Sequence, residues 1–148
     1  MFQAAINQRR GIALVRVSGR FEPAKISLID RFIEGLAKRG ASFDLILDFT
    51  GVSETAMPVQ DLAKRSEQPP LWPGRERVLV APQPVLHAML RLFAGYQEHY
   101  GIRRPVVVGK LEEALKRLDT EIAEFQPVEA AEPSQAMTAL PLDPSLAP

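Results

Sequence analysis

Short apolar runs that alternate with segments of helical spacing constrain this 148-residue chain more than any other feature. Ile12 to Val17, Phe43 to Phe49, Val78 to Ala81 and Pro105 to Val108 are too short for buried helices, and the centre of the second run is apolar on both faces. Such runs read as interior strands covered by helices on each side. Between them, Pro23 to Arg39 places Ile26, Ile29, Ile33, Leu36 and Ala37 on one face, with Phe32 at its margin and Asp30, Arg31, Glu34 and Lys38 turned away. Pro23 opens that helix where no amide donor is needed, and Gly40 supplies its stop. Pro58 opens a shorter helix ending near Glu67, Pro84 to Tyr100 forms a long one, and Lys110 to Asp119 closes the series with Leu111, Leu115 and Leu118 along one side.

Ahead of these units, Phe2, Ala4 and Ile6 alternate with Gln3, Ala5 and Asn7, the two-residue period of a half-buried strand. The polar stretch to Gly11 turns this strand into Ile12 to Val17, and Gly19 is read as the end of the hairpin. Thr50 to Ala56 and Gln68 to Arg75 are read as loops, the latter stiffened by Pro69, Pro70 and Pro73 around Leu71 and Trp72. The predicted order is β-β-α-β-α-β-α-β-α, an α/β fold with a five-stranded, mostly parallel sheet joined by crossovers. Only the first strand runs antiparallel, as the outer partner of the hairpin.

The predicted domain covers residues 1–125. From Gln126 the chain holds five prolines and no glycine, aromatic or basic residue, a composition that buries too little to offset its ordering entropy. Residues 126–148 are therefore expected to be a Pro/Ala-rich acidic tail, disordered or loosely docked. The formal charge of zero hides an asymmetry: 18 basic against 12 acidic residues through Leu118, then six acidic and none basic. This division suits either a basic body that meets an acidic partner or a solvated surface with a solvated tail.

Several function classes are disfavoured on chemical grounds. Without cysteine there is no disulfide framework, thiolate nucleophile or cysteine-bearing metal site, and the expected setting is the cytoplasm. No apolar run suits a signal peptide or a membrane span, so integral membrane insertion is not expected. The pairs Arg9-Arg10, Lys38-Arg39 and Arg103-Arg104 sit at turns without interleaved aromatics, which argues against a nucleic-acid partner.

The strand Val15-Arg16-Val17-Ser18-Gly19, the stretch Leu45-Ile46-Leu47-Asp48-Phe49-Thr50-Gly51-Val52-Ser53 and the closing Glu112-Glu113-Ala114-Leu115 resemble the SpoIIAA-like and STAS family. Arg77-Val78-Leu79-Val80-Ala81-Pro82, followed by a helix carrying Leu90 to Tyr96, is similar to its uncharacterised bacterial branch. The resemblance spans roughly residues 2 to 119 and implies a small α/β regulatory domain without catalytic activity. In phosphorylatable members, the loop after the central strand carries an Asp-Ser-Ser-Gly-like motif whose serine accepts a phosphate. Here the matching stretch is Glu54-Thr55-Ala56-Met57-Pro58-Val59, which lacks the aspartate, the acceptor and the glycine. A shift of one or two residues brings Ser53 or Thr55 into play, leaving a phosphorylation-controlled anti-sigma antagonist as an alternative function.

Among individual residues, His87 and His99 stand twelve positions apart on the long helix, about 18 Å along its axis, and cannot share a metal within one chain. No nucleophile and base, metal ligand set or phosphate cradle is recognisable, so no catalytic residue, metal or cofactor is expected. Asp48, near the carboxyl edge of the central strand, reads either as the anchor of a loop site with Thr50, Ser53 and Thr55 or as a loop-bracing carboxylate. An enzyme of unknown class would have to use that edge. The long helix carries more apolar residues than one sheet-facing side requires. Met89, Leu92, Phe93 and Tyr96, together with Trp72, form a candidate surface for a protein partner, a second copy of the chain or a small apolar ligand. The plainer reading is that the Trp72 loop folds down and covers the helix.

Overall fold

The computed structural model describes residues 2–128. Its elements follow the predicted order: β1 (Phe2–Asn7), β2 (Ile12–Phe21), α1 (Pro23–Lys38), β3 (Asp44–Thr55), α2 (Val59–Arg65), β4 (Arg77–Val80), α3 (Pro84–His99), β5 (Val106–Val108) and α4 (Leu111–Arg117). A 3-10 turn over Ile122–Glu124 then leads into β6 (Gln126–Val128). The sheet order is β5-β4-β3-β2-β1-β6. Strands β2 to β5 pair in parallel, as the alternation with helices requires, while β1 is antiparallel to both β2 and β6.

The two faces of the sheet are covered unequally. On one, Ala13, Val15, Leu45, Phe49 and Leu79 meet Ile29, Phe32 and Leu36 of α1, Leu62 of α2 and Leu86 and Leu90 of α3. On the other, among the described residues, Ile12, Leu14, Ile46, Val78 and Val80 meet Ala114 and its neighbours on α4, together with Phe125. The helix spacing of α1 is as predicted, except that Phe32 is fully buried instead of marginal and Asp30 is half-buried instead of solvated.

Three features depart from the sequence reading. First, Gly19 does not end β2, which runs on to Phe21 with register shifts at Arg16/Ser18 and Gly19/Arg20. Gly19 adopts φ +78°, the left-handed geometry of a bulge residue, so the glycine bends a strand that continues. Second, Thr50 to Thr55 is not a loop but the second half of β3, paired with that bent extension of β2. Gly51 permits the pairing: a Cβ there would lie 2.8 Å from the Ser18 Cβ. Third, the sheet has six strands among the described residues, and β1 is not the outer one. Gln126–Val128, assigned by composition to the tail, pairs with β1 and buries Val128 against it. Pro127 is tolerated because β6 is an edge strand. A polar brace holds this return: Asn7 Nδ2 donates to Thr120 Oγ1 at 2.8 Å, and Glu124 caps the turn by accepting from Glu121 N at 2.9 Å. The remainder of the expected tail lies outside the described residues.

Candidate functional site

The broader helical layer does not close completely on the sheet. Period-two alternation aims Leu45, Leu47 and Phe49 of β3, and Phe43 just before it, at α1 and α3, with Leu79 of β4 beside them. Ile26, Ile29 and Ile33 of α1 face Leu90 and Phe93 of α3 across a gap, leaving a cavity of about 220 Å³. Pro69 to Trp72 roofs one end, and Trp72 packs edge-on against Phe43 at 5.9 Å. A proline-rich segment suits this role, because it crosses the opening without needing ladder partners for its missing amides.

Polar groups collect at the roofed end. Arg65 of α2 pairs with Asp30 of α1 at 2.6 Å and also bonds Gln68. Arg75 reaches Asp44 at 3.3 Å and donates to the Gly11 carbonyl at 2.7 Å. Arg77, at the start of β4, donates to Gln97 Oε1 at 2.7 Å and to the Arg103 carbonyl at 2.6 Å. Gln97 is itself buried, and its Nε2 donates to the Gln68 carbonyl at 3.3 Å. Burial, reinforced by repulsion from Arg65 and Arg103, lowers the Arg77 pKa from its ordinary value to about 10. Burial raises the Asp30 pKa; Arg65 opposes that shift and Glu34 adds to it.

The residues singled out from sequence fall into three places. Trp72 and Phe93 line the cavity, and Met89 packs against the core beside them. Leu92 and Tyr96 point outward on α3 in line with Val85, all three exposed. The Asp48 group is separate from the cavity and sits on β3 instead of a loop. Asp48 is buried, accepts from Thr50 N at 3.0 Å and from Thr50 Oγ1, and lies 3.8 Å from Arg16 Nε. Among the described residues neither Ser53 nor Thr55 hydrogen-bonds it, and the turn from β3 into α2 is Ala56-Met57-Pro58, without a hydroxyl. His87 Nδ1 lies 2.8 Å from the Ala81 carbonyl, to which it donates, while exposed His99 stacks edgewise on Tyr100 at 5.5 Å. Neither histidine lines the cavity or joins Asp48.

Sequence reasoning missed Arg77, Gln97, Asp30 and Arg65, and two of these left a readable signal. Arg77 shares its strand face with Leu79, which is an inward register for a charge on a parallel strand. Gln97 falls on the buried stripe of Leu86, Leu90 and Ala94. A polar side chain on a core stripe requires an internal partner, and the two residues satisfy each other.

No family model matches the sequence, and no curated protein matches it significantly. Among solved structures, the anti-sigma factor antagonist SpoIIAA in its unphosphorylated form matches with a TM-score of 0.53 at 18% identity, over 80% of this chain and 98% of that one. The covered share agrees with the span of the resemblance read from sequence. Among the described residues, six strands, four α-helices and a parallel centre flanked by an antiparallel hairpin give this chain the SpoIIAA-like α/β fold.

Proposed function

We propose that the chain is a non-enzymatic binding module of the cytoplasm, which holds a small apolar ligand beneath α1 and presents the outcome to a protein partner. The observation that carries this reading is the cavity of about 220 Å³ between α1, α3 and β3. Native interiors rarely leave voids larger than a water molecule, and an engineered apolar cavity of about 150 Å³ already binds benzene. An opening lined by Leu47, Leu45 and Phe93 and roofed by a separate loop therefore suits an occupant. Against an enzymatic reading stands the placement of the reactive groups: Asp48 is engaged by Thr50 and Arg16, and His87 by a backbone carbonyl.

The test uses radiolabelled indole, a neutral aromatic probe close to the cavity in size, retained by the protein in equilibrium dialysis. The full chain is expected to give saturable retention, and Leu47→Phe, which fills the cavity, to reduce it at least tenfold in affinity. Linear, non-saturating retention would refute the reading.

A second reading rests on the exposed row Val85, Leu92 and Tyr96 of α3, which suits a protein partner or a second copy of the chain. Light scattering decides the self-association form: a dimer that Leu92→Glu dissociates supports it, and a strict monomer at all concentrations removes it.

A further inference from the structure

The three arginines at the cavity are not equivalent. Arg65 has Asp30 as counterion and Arg75 has Asp44, whereas Arg77 has no carboxylate within 4.0 Å among the described residues. Of its five N–H donors, two are engaged, and both meet neutral oxygens: the Gln97 side chain and the Arg103 carbonyl. Burial is the main cause of its lowered pKa, and the charges that add to it are further cations, Arg65 and Arg103. A half-buried guanidinium in an apolar wall normally carries a counterion, because desolvation of an unpaired charge is expensive. Among the described residues, then, Arg77 is left for an anion that they do not supply.

Resting on the apolar-ligand reading above, we infer that the cavity takes a monoanionic amphiphile: a small alkyl or aryl carboxylate, its tail along Leu47 and Phe93 and its head against Arg77. A single negative charge fits the wall. Asp30 offsets Arg65 and Asp44 offsets Arg75, while Glu34 is exposed to solvent, so Arg77 is the one cation of the lining left for a ligand's charge. A dianion would meet the two carboxylates on α1, and a neutral molecule would leave Arg77 uncompensated. The planar guanidinium matches a carboxylate's two oxygens by parallel N–H donation. The size follows from volume: if about 150 Å³ holds benzene, about 220 Å³ holds roughly nine non-hydrogen atoms, one fewer than octanoate, whose carboxylate sits at the arginine wall.

The experiment displaces bound indole from the full chain at pH 7 with octanoate, octanol or octylamine. Octanoate is expected to displace the probe at concentrations at least tenfold below octanol, with octylamine weakest. In Arg77→Gln that advantage should vanish while octanol displacement is retained. Arg77→Lys, which keeps the charge and loses the fork, should retain part of it. If octanoate and octanol displace equally from the wild-type chain, the anion site is wrong and the apolar-ligand reading survives. If none of the three displaces the probe, or the probe does not bind, both fall together. The wild-type comparison decides the matter even where a variant fails to fold.

Discussion

Replacing Gln97 by leucine tests how the arginine wall is held. Gln97 is buried on α3, and its Oε1 accepts from Arg77 Nη1 at 2.7 Å. Leucine keeps most of the volume, so no large cavity term enters. The lost interaction is a hydrogen bond to a charged donor, worth about 1.5–3 kcal/mol. Gln68, whose carbonyl accepts from Gln97 Nε2 at 3.3 Å, is exposed, so water replaces that weaker bond at little cost. Against the loss stands the relief of burying one amide fewer, about 0.5–2 kcal/mol on scales that allow partial compensation. The charged bond wins, and Gln97→Leu is expected to destabilise the fold by roughly 1–2 kcal/mol. For a domain of this length that is a fall in Tm of roughly 4–8 °C. Urea unfolding followed by circular dichroism measures it as a lowered midpoint at unchanged slope. A variant as stable as the wild type, or more so, would mean that Arg77 is satisfied from elsewhere and that Gln97 is not what positions it.

Two further outcomes follow from the bent strand pair and from the cavity rim. Gly51→Ala sets a Cβ 2.8 Å from the Ser18 Cβ and is expected to cost about 1–3 kcal/mol, largely recovered in the double variant with Ser18→Gly; purely additive losses in a thermal double-mutant cycle would show that the two strands do not meet there. Because burial raises the Asp30 pKa in the folded state, its protonated form is favoured by folding, and its stabilising contribution is lost as pH rises through that raised value. The stability of the wild type relative to Asp30→Asn should therefore increase on acidification from neutral pH and level off below the ordinary aspartate range. An advantage that shrinks on acidification would mean that the 2.6 Å pair with Arg65 outweighs burial.

Much of the architecture is local and was legible. Proline at the first turn of α1 and α3, apolar stripes at helical spacing, and short strands rich in branched residues each depend on neighbours a few positions away. The same locality explains the errors. A glycine at φ +78° looks the same in sequence whether it stops a strand or bends one, and the decision at Gly19 came from the partner strand carrying Gly51. Composition marked Gln126 to Val128 as tail, yet the free edge of β1 accepts any short extended segment that can reach it.

The site divides along the same line. The amino-acid sequence by itself determined the alternating elements, the inward aim of the β3 residues and the stiff Trp72 loop. It also held Arg77 and Gln97 at inward positions, which is a pattern without a meaning until the helices are placed. Only the tertiary structure decided that α1 and α3 stand apart over the sheet, that Asp30 and Asp44 neutralise two arginines, and that the third lines the void without a counterion among the described residues. The physical reason is that periodicity specifies which way a side chain points, whereas a cavity and an unpaired charge are properties of the distance between elements far apart in the chain.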